Sequence, residues 1–401
     1  MKERINEIEM PSARIVENTV EVQKELLSLG FNLDCNYAKK IEDPVEAEDG
    51  QRSTYWIEIK TIIDKEKSDN LRAGKLFVPK QHNGELVCFY AGMPGENTAD
   101  WEQKYVNELS DNGYVVWIPR HNGIKLNEEN QKCFINSPQA FEDYSLLGRE
   151  NIANSLKEKF LDDFLEEPAS DLSVFSKQDS IKEIILIGQS FGASSIINSL
   201  SQEKISALGI DATKIKKAII INGLLGEGTF PESDEELIAG MRLTPKQLIN
   251  DQEERASKFF NIQGKIEMRK TFQELFPLIS KNKLPEGTDL IITASPTDAY
   301  LTLEGAKKYL NAQDRGLLIA DLTHSETKPT KKGDSIFGTE FDEITPELVM
   351  QANNESKNMY GGSQHAAPNF NPETLVRLIK SKIIGKHEVS FSASFKDVSE
   401  E

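Results

Sequence analysis

The feature that most constrains this 401-residue chain is an alternation between short, fully apolar segments and longer segments of helical periodicity. Six apolar segments recur along the chain, at residues 86–90, 114–118, 184–187, 218–221, 290–293 and 317–320. Segments with helical spacing occur near residues 99–112, 141–165, 299–311 and 371–384, and directly after Ser190. Continuous apolar runs are typical of parallel strands buried on both faces, with helices as the connections. The pattern therefore predicts an α/β fold with a doubly wound, mostly parallel sheet.

The part of the chain before these segments has a different pattern. Apolar residues at helical spacing between residues 12 and 30 predict an amphipathic helix that ends at Gly30, so residues 1–50 are interpreted as an N-terminal helical extension. Residues 53–62 and 74–79 alternate between polar and apolar, as half-buried strands do. These two segments predict an antiparallel hairpin at the edge of the sheet.

Two segments are longer than a connection between neighbouring strands requires. Residues 228–285 contain several amphipathic stretches and are predicted to form an inserted helical cap. Residues 326–360 are polar and carry proline, glycine and asparagine, which predicts a surface excursion. The predicted organisation is thus an N-terminal extension (1–50), a first core part (51–227), the cap (228–285), a second core part (286–385) and a tail (386–401).

The charge and the cysteines exclude some classes of function. A formal net charge of −18 argues against nucleic acid as a partner, because binding polyanions requires clustered lysine and arginine. Cys35, Cys88 and Cys133 lack the spacing of metal ligands or of a disulfide framework. The N-terminus is polar, and no apolar segment is long enough to span a membrane, so the expected location is the cytoplasm. The oligomeric state is left open.

The strongest chemical signal is a serine motif between a buried strand and a helix. Residues 188–192 read Gly-Gln-Ser-Phe-Gly, directly after one of the apolar segments. A serine on a sharp turn needs small neighbours, and Gly188 and Gly192 supply them. The helix that follows directs its N-terminal N–H groups towards developing negative charge. An ordinary glycine-rich turn with a capping serine is the alternative, but the context favours Ser190 as a nucleophile.

On these residues, the segment 53–384 resembles the α/β-hydrolase superfamily. A second matching element is Phe-Tyr-Ala-Gly-Met-Pro-Gly at residues 89–95, which resembles the His-Gly-x-Pro-Gly loop that supplies half of the oxyanion hole in that superfamily. Ala91 stands where the superfamily has histidine. The resemblance implies that the backbone N–H groups of Met93 and Phe191 bind the oxyanion, and that no metal or organic cofactor takes part.

The resemblance also implies a catalytic acid that follows the serine in the chain and precedes the histidine. Asp298 comes shortly after the apolar segment 290–293, at the sheet edge where ligands bind in α/β folds. It is therefore the predicted acid. The alternative is that Asp298 caps the helix that follows it.

Two of the five histidines are candidates for the general base. His82 and His121 precede the serine, and His387 lies in the predicted tail. His324 follows the last apolar segment after a short turn, and His365 lies in a polar, glycine-rich loop before the final helix. The sequence favours His324, with His365 as the alternate base.

These features together predict a serine hydrolase that cleaves a carboxylic ester through an acyl-enzyme intermediate, with a small-molecule ester or acyl compound as substrate. A peptidase or an acyltransferase of the same fold is one alternative. A non-catalytic binding protein on a hydrolase scaffold is another, and the absence of histidine at Ala91 favours it weakly.

Overall fold

A ten-stranded mixed sheet forms the centre of the chain. The structure, a computed structural model, describes residues 13–41, 51–61, 71–92, 98–120, 124–126, 133–135, 164–223, 225, 233–235, 266–267, 269–271, 273, 282–294, 303–321 and 372–391. The strands are β1 (Cys35–Ile41), β2 (Arg52–Lys60), β3 (Leu71–Pro79), β4 (Glu85–Tyr90), β5 (Val115–Pro119), β6 (Ile124–Leu126), β7 (Cys133–Ile135), β8 (Glu183–Gln189), β9 (Ile215–Ile221), β10 (Asp289–Ala294), β11 (Gly316–Asp321) and β12 (Lys386–Phe391).

The strand order in the large sheet is β1-β2-β3-β5-β4-β8-β9-β10-β11-β12, and β6 pairs separately with β7. The seven strands from β5 to β12 in this order run parallel to their neighbours. The pairs β1·β2, β2·β3 and β3·β5 are antiparallel. The predicted mostly parallel sheet is therefore confirmed, and all six apolar segments are strands in it.

Helices cover both faces of this sheet. They are α1 (Ala13–Ser28), α2 (Thr98–Asp111), α3 (Glu167–Phe175), α4 (Phe191–Ser199), α5 (Gln202–Leu208), α6 (Leu303–Ala312) and α7 (Pro372–Lys380). One apolar cluster joins α1, α3, α4 and α6 to the sheet, and a second joins α2 and α7 to its other face. In β8, Ile184 and Leu186 belong to the first cluster, and Ile185 and Ile187 to the second. This two-sided burial explains why the central parallel strands contain continuous apolar segments.

The predicted helices near residues 99–112, after Ser190, near 299–311 and near 371–384 are confirmed. Of the helix predicted near residues 141–165, residues 141–163 lie outside the described part of the chain. Among the described residues, no helix is both long and apolar enough to cross a membrane.

Both ends of the sheet differ from the prediction. The hairpin of β2 and β3 is not at the edge, because β1 pairs with β2 on its outer side, so residues 1–50 contribute a strand as well as α1. Residues 386–391, assigned to a tail, form β12, which pairs parallel with β11. β1 mixes buried and exposed positions and has two consecutive lysines, so its strand signal is weak in the sequence.

The predicted insertions lie mostly outside the described residues. In the predicted cap, residues 233–235 and several positions between 266 and 273 are described, and Ile266 belongs to the same apolar cluster as β8. Arg269 forms an ion pair with Asp234. The predicted excursion at residues 326–360 lies wholly outside the described residues.

Helix α2 is held to the sheet by a buried ionic cluster. Glu102 accepts a hydrogen bond from Lys75 Nζ of β3 at 2.7 Å and pairs with Arg120, and all three side chains are almost fully buried. Burial alone would raise the pKa of Glu102, but the charges of Arg120 and Lys75 outweigh it and lower that pKa. The carboxylate therefore stays ionised in the folded protein at neutral pH.

We expect Glu102→Gln to destabilise the fold at pH 7 by about 3 to 5 kcal/mol, because Lys75 and Arg120 would lose their buried carboxylate. A folded-state pKa below the ordinary 4.5 means that this stabilisation is present above pH 4.5 and is lost as the pH falls through the folded-state value. The difference from the unchanged protein should therefore shrink on acidification. Urea unfolding at pH 7 and pH 4 measures it.

The control is Glu25→Gln, which removes a carboxylate from an exposed ion pair with Lys40. It should change the unfolding free energy by at most about 1 kcal/mol at either pH. A loss from Glu102→Gln that is equal at both pH values would contradict the ionic account.

Candidate active site

Ser190 lies on a strained turn between β8 and α4. Its backbone has φ 52° and ψ −118°, and Asn222 is the only other described non-glycine residue with positive φ. Such a conformation costs about 1 to 3 kcal/mol and persists only where the surrounding structure imposes it. The Ser190 N–H donates to the carbonyl oxygen of Ile221 at 2.9 Å, which ties the turn to the end of β9. Ser190 therefore belongs neither to β8 nor to α4 and lies on the turn between them.

The two glycines of the motif are required by close backbone packing. A Cβ atom at Gly188 would lie 2.7 Å from the backbone N and Cα of Ala193 in α4. A Cβ atom at Gly192 would lie 2.2 Å from the carbonyl oxygen of Tyr90, at the end of β4. Neither position has room for a side chain, so α4 approaches both strands as closely as the backbone allows.

The segment after β4 lies against the serine. A Cβ atom at Gly92 would lie 3.0 Å from Ser190 Cβ and 3.5 Å from Ser190 Oγ. Ala91 is buried beside it. The next residue, Met93, is a predicted oxyanion donor and lies outside the described residues. The structure thus brings the start of the predicted oxyanion loop into contact with Ser190.

The second predicted donor, Phe191, is the first residue of α4. Its ring is buried and packs edge-to-face on Phe164, with 4.6 Å between ring centroids. Since α4 begins directly after Ser190, the partial positive charge of its N-terminus lies at the serine turn. This arrangement suits an anion that forms next to Ser190.

The predicted acid and both candidate bases, Asp298, His324 and His365, lie outside the described residues. β10 ends four residues before Asp298, and β11 ends three residues before His324. Because β8, β10 and β11 belong to one parallel sheet, their carboxyl ends lie at the same edge as Ser190. β11 is not the last strand, since β12 pairs with it, so His324 does not follow the sheet's final strand.

Asn222 at the end of β9 was missed by the sequence analysis. It has φ 46°, is fully buried, and its N–H donates to the carbonyl oxygen of Thr293 at 3.0 Å. Together with the bond from Ser190 to Ile221, this ties the ends of β8, β9 and β10 to one another. The pair Asn222-Gly223 directly after an apolar segment was the available turn signal.

A buried carboxylate, Asp171 of α3, contacts side chains of β3, β4 and β5. It accepts hydrogen bonds from Arg72 Nε at 3.1 Å, from the Tyr90 hydroxyl at 3.1 Å and from Trp117 Nε1 at 3.0 Å. Arg72 also pairs with Glu167 at 3.1 Å. Burial raises the pKa of Asp171, and the charge of Arg72 opposes that rise. These residues are far apart in sequence, so no local pattern predicted their association.

Comparisons with known proteins give likenesses of structure only. No family model matches the chain, and no curated protein matches it. Acetyl xylan esterase 1 from Thermoanaerobacterium sp. is similar over 78% of this chain and 91% of its own, with 11% identity and a TM-score of 0.38. A Pyrococcus furiosus esterase is similar over 70% and 88%, with 16% identity and a TM-score of 0.39.

A third likeness is to the acylaminoacyl peptidase of Pyrococcus horikoshii, over 74% of this chain but 38% of that one, with 13% identity and a TM-score of 0.38. All three likenesses have low identities and low TM-scores. At such TM-scores they say nothing about its substrate.

We expect Gly92→Ala to slow the reaction of Ser190 with a fluorophosphonate probe by roughly tenfold or more, because small displacements of reacting groups are costly. The added methyl group would press on Ser190 Cβ at 3.0 Å. Labelling rate and thermal unfolding would be measured together. The midpoint of unfolding should change little.

Gly385→Ala is the contrasting control. Its added methyl would meet nothing within 4 Å, but the residue has φ 81°, so the variant should lose stability and keep its labelling rate. Equal labelling rates in Gly92→Ala and the unchanged protein would show that the contact does not position the serine.

Proposed function

We propose that the protein is a serine hydrolase that cleaves carboxylic esters, with Ser190 as the nucleophile. The observation that carries the proposal is the strained backbone of Ser190 between β8 and α4. A folded chain keeps an unfavourable conformation at a residue where function needs it. A serine on such a strand-to-helix turn presents its hydroxyl at the sheet edge, beside the helix N-terminus, as acyl transfer requires.

In the proposed reaction, Ser190 Oγ attacks the acyl carbonyl carbon while His324 takes the hydroxyl proton. Asp298 orients the imidazole and stabilises its charged form. The carbonyl oxygen becomes an oxyanion that accepts hydrogen bonds from the backbone N–H groups of Met93 and Phe191, each donor being worth about 3 to 4 kcal/mol. The alcohol leaves with the proton from His324. Water, activated by the same base, then releases the carboxylic acid from Ser190.

The contact of Gly92 with Ser190 supports the assignment of the oxyanion donors. It brings the residue before Met93 to the serine, and Phe191 is the residue directly after the serine in the chain. Two donors from different segments can then converge on one oxygen. The common sheet edge of β8, β10 and β11 supports the chain order of nucleophile, acid and base.

The proposal also specifies the substrate class, a carboxylic ester. The described geometry serves acyl transfer from an ester, an amide or a thioester alike. We infer an ester because an alcohol is a better leaving group than an amine and requires less help from the general acid. Residues 228–285, as a helical cap, would then line the acyl or alcohol side of the site. A peptidase or an acyltransferase is the alternative.

Ser190→Ala should reduce the hydrolysis of p-nitrophenyl acetate by roughly four to six orders of magnitude, as expected when the nucleophile of an interdependent triad is lost. Its thermal unfolding should be nearly unchanged, because alanine replaces a small side chain on the same turn. Fluorophosphonate labelling should also disappear. The proposal fails if the variant keeps more than a trace of activity.

Ser201→Ala is the matched control, because Ser201 follows the C-terminal end of α4 and caps α5 by accepting a hydrogen bond from the Lys204 N–H. It should lose about 1 kcal/mol of stability and no activity. Peptidyl and aminoacyl anilides tested beside p-nitrophenyl acetate would separate the ester from the peptidase alternative. A clear preference for the anilides would reverse the substrate class and leave Ser190 in place.

The base is tested by a pair of substitutions. His324→Ala should cost about as much activity as Ser190→Ala, because the triad members act as one unit. His365→Ala should cost little. His82→Ala is the control, since His82 contacts the carbonyl oxygen of Leu29 at 3.2 Å, remote from the serine in the chain. An inactive His365→Ala beside an active His324→Ala would exchange the two assignments, and activity in both would refute the triad.

A further inference from the structure

We propose that Asp171 is a positioning residue for the reaction at Ser190: through Tyr90 it fixes the end of β4 and Gly92 relative to the Ser190 turn. The inference rests on the proposed function, since it concerns the geometry of that reaction. It assigns a role to a buried carboxylate that the proposed chemistry does not use.

Tyr90 connects Asp171 to the site. Its hydroxyl donates to Asp171 Oδ2 at 3.1 Å, and its own carbonyl oxygen lies against Gly192, where a Cβ atom would be only 2.2 Å away. Tyr90 is the last residue of β4, two residues before Gly92, which contacts Ser190. A shift of the Tyr90 side chain therefore moves the backbone that leads into the predicted oxyanion loop.

Helix α3, which carries Asp171, is also hydrogen-bonded to α4, the helix that follows Ser190. The Ala169 N–H donates to Ser199 Oγ at 3.0 Å, and Ser199 Oγ donates to the Leu165 carbonyl oxygen at 3.1 Å. Ser199 ends α4, the helix that begins with Phe191, and Phe164 packs on the Phe191 ring. Helix α3 is thus hydrogen-bonded to Tyr90 at the end of β4 and to the C-terminal end of α4, the helix that begins at Phe191.

The carboxylate of Asp171 is held from three neighbouring strands. Arg72 lies in β3, Tyr90 in β4 and Trp117 in β5, and all three donate to it in a fully buried site. Stability alone does not require this arrangement, because well-packed apolar residues often replace buried ion pairs at no cost. Arg72 donates to Oδ1 of Asp171, and Tyr90 and Trp117 both donate to Oδ2, so both carboxylate oxygens are held.

The Tyr90 hydroxyl keeps the proton that it donates to Asp171 at neutral pH. Burial first, and the charge of Asp171 next, raise the pKa of the Tyr90 hydroxyl well above its usual value, so it stays protonated and donates. Helix α2, which begins at Thr98, is anchored to the sheet through Glu102.

The test is Tyr90→Phe, which removes one hydroxyl and keeps the ring. We expect kcat on p-nitrophenyl acetate to fall roughly tenfold to a hundredfold, the size seen when catalytic groups are slightly displaced. KM should stay within about twofold of its original value, because only transition-state binding is lost. Affinity for a methyl trifluoromethyl ketone, whose adduct with Ser190 carries an oxyanion, should fall by the same factor as kcat/KM.

Tyr309→Phe is the matched control. Tyr309 is also buried, and its hydroxyl donates to the Asn282 carbonyl oxygen at 3.3 Å, but it lies in α6 near the opposite end of the sheet. It should leave kcat and ketone affinity unchanged. If the role of Tyr90 were only structural, Tyr90→Phe and Tyr309→Phe would both change stability, and neither would change the affinity for the ketone.

Asp171→Asn gives a second, independent measurement. Its effect on kcat and that of Tyr90→Phe should be strongly non-additive in the double variant, because both act through one hydrogen bond.

The inference is overturned if Tyr90→Phe keeps kcat within twofold, or if Tyr309→Phe loses as much. An active Ser190→Ala would instead refute the proposed function, whereas an inactive Ser190→Ala beside an unaffected Tyr90→Phe refutes the positioning role alone.

Discussion

The close approach of α4 to the ends of β4 and β8 is the constraint on which the rest of the site depends. It is possible only because Gly188 and Gly192 have no side chain, and it forces Ser190 into a backbone conformation that non-glycine residues rarely adopt. The free-energy cost of this strain is offset by the burial of both faces of the sheet in two apolar clusters. A rigid, two-sided core is what allows one turn to be held away from its own energy minimum.

The same edge of the sheet carries an unusual density of buried charge. Arg72 and Asp171 lie on one face, and Lys75 and Glu102 lie on the other, with Arg120 contacting both groups. Buried ion pairs contribute little to stability on balance, but they fix geometry because each hydrogen bond has a direction.

Several parts of the architecture and of the serine turn were predictable from the sequence. The six apolar strands and the turn at residues 188–192 have local signals, because both depend on neighbouring residues. The outer strands β1 and β12 have only weak signals, because an edge strand has a neighbouring strand on one side only and tolerates charged residues. Residues 317–320 are the last apolar segment of the chain, but β12 lies beyond β11 in the sheet for that reason. Asn222 had a turn signal that the prediction did not use.

What the sequence determined by itself is the class of fold and the identity of the strained serine, because strand burial and a sharp turn are properties of consecutive residues. What only the tertiary structure decided is which distant groups meet at that serine. Gly92 contacts Ser190, and Tyr90 bonds to Asp171, across separations of 98 and 81 residues. No local pattern encodes such pairs, since they arise when crossover connections bring the ends of non-consecutive strands to one edge of the sheet.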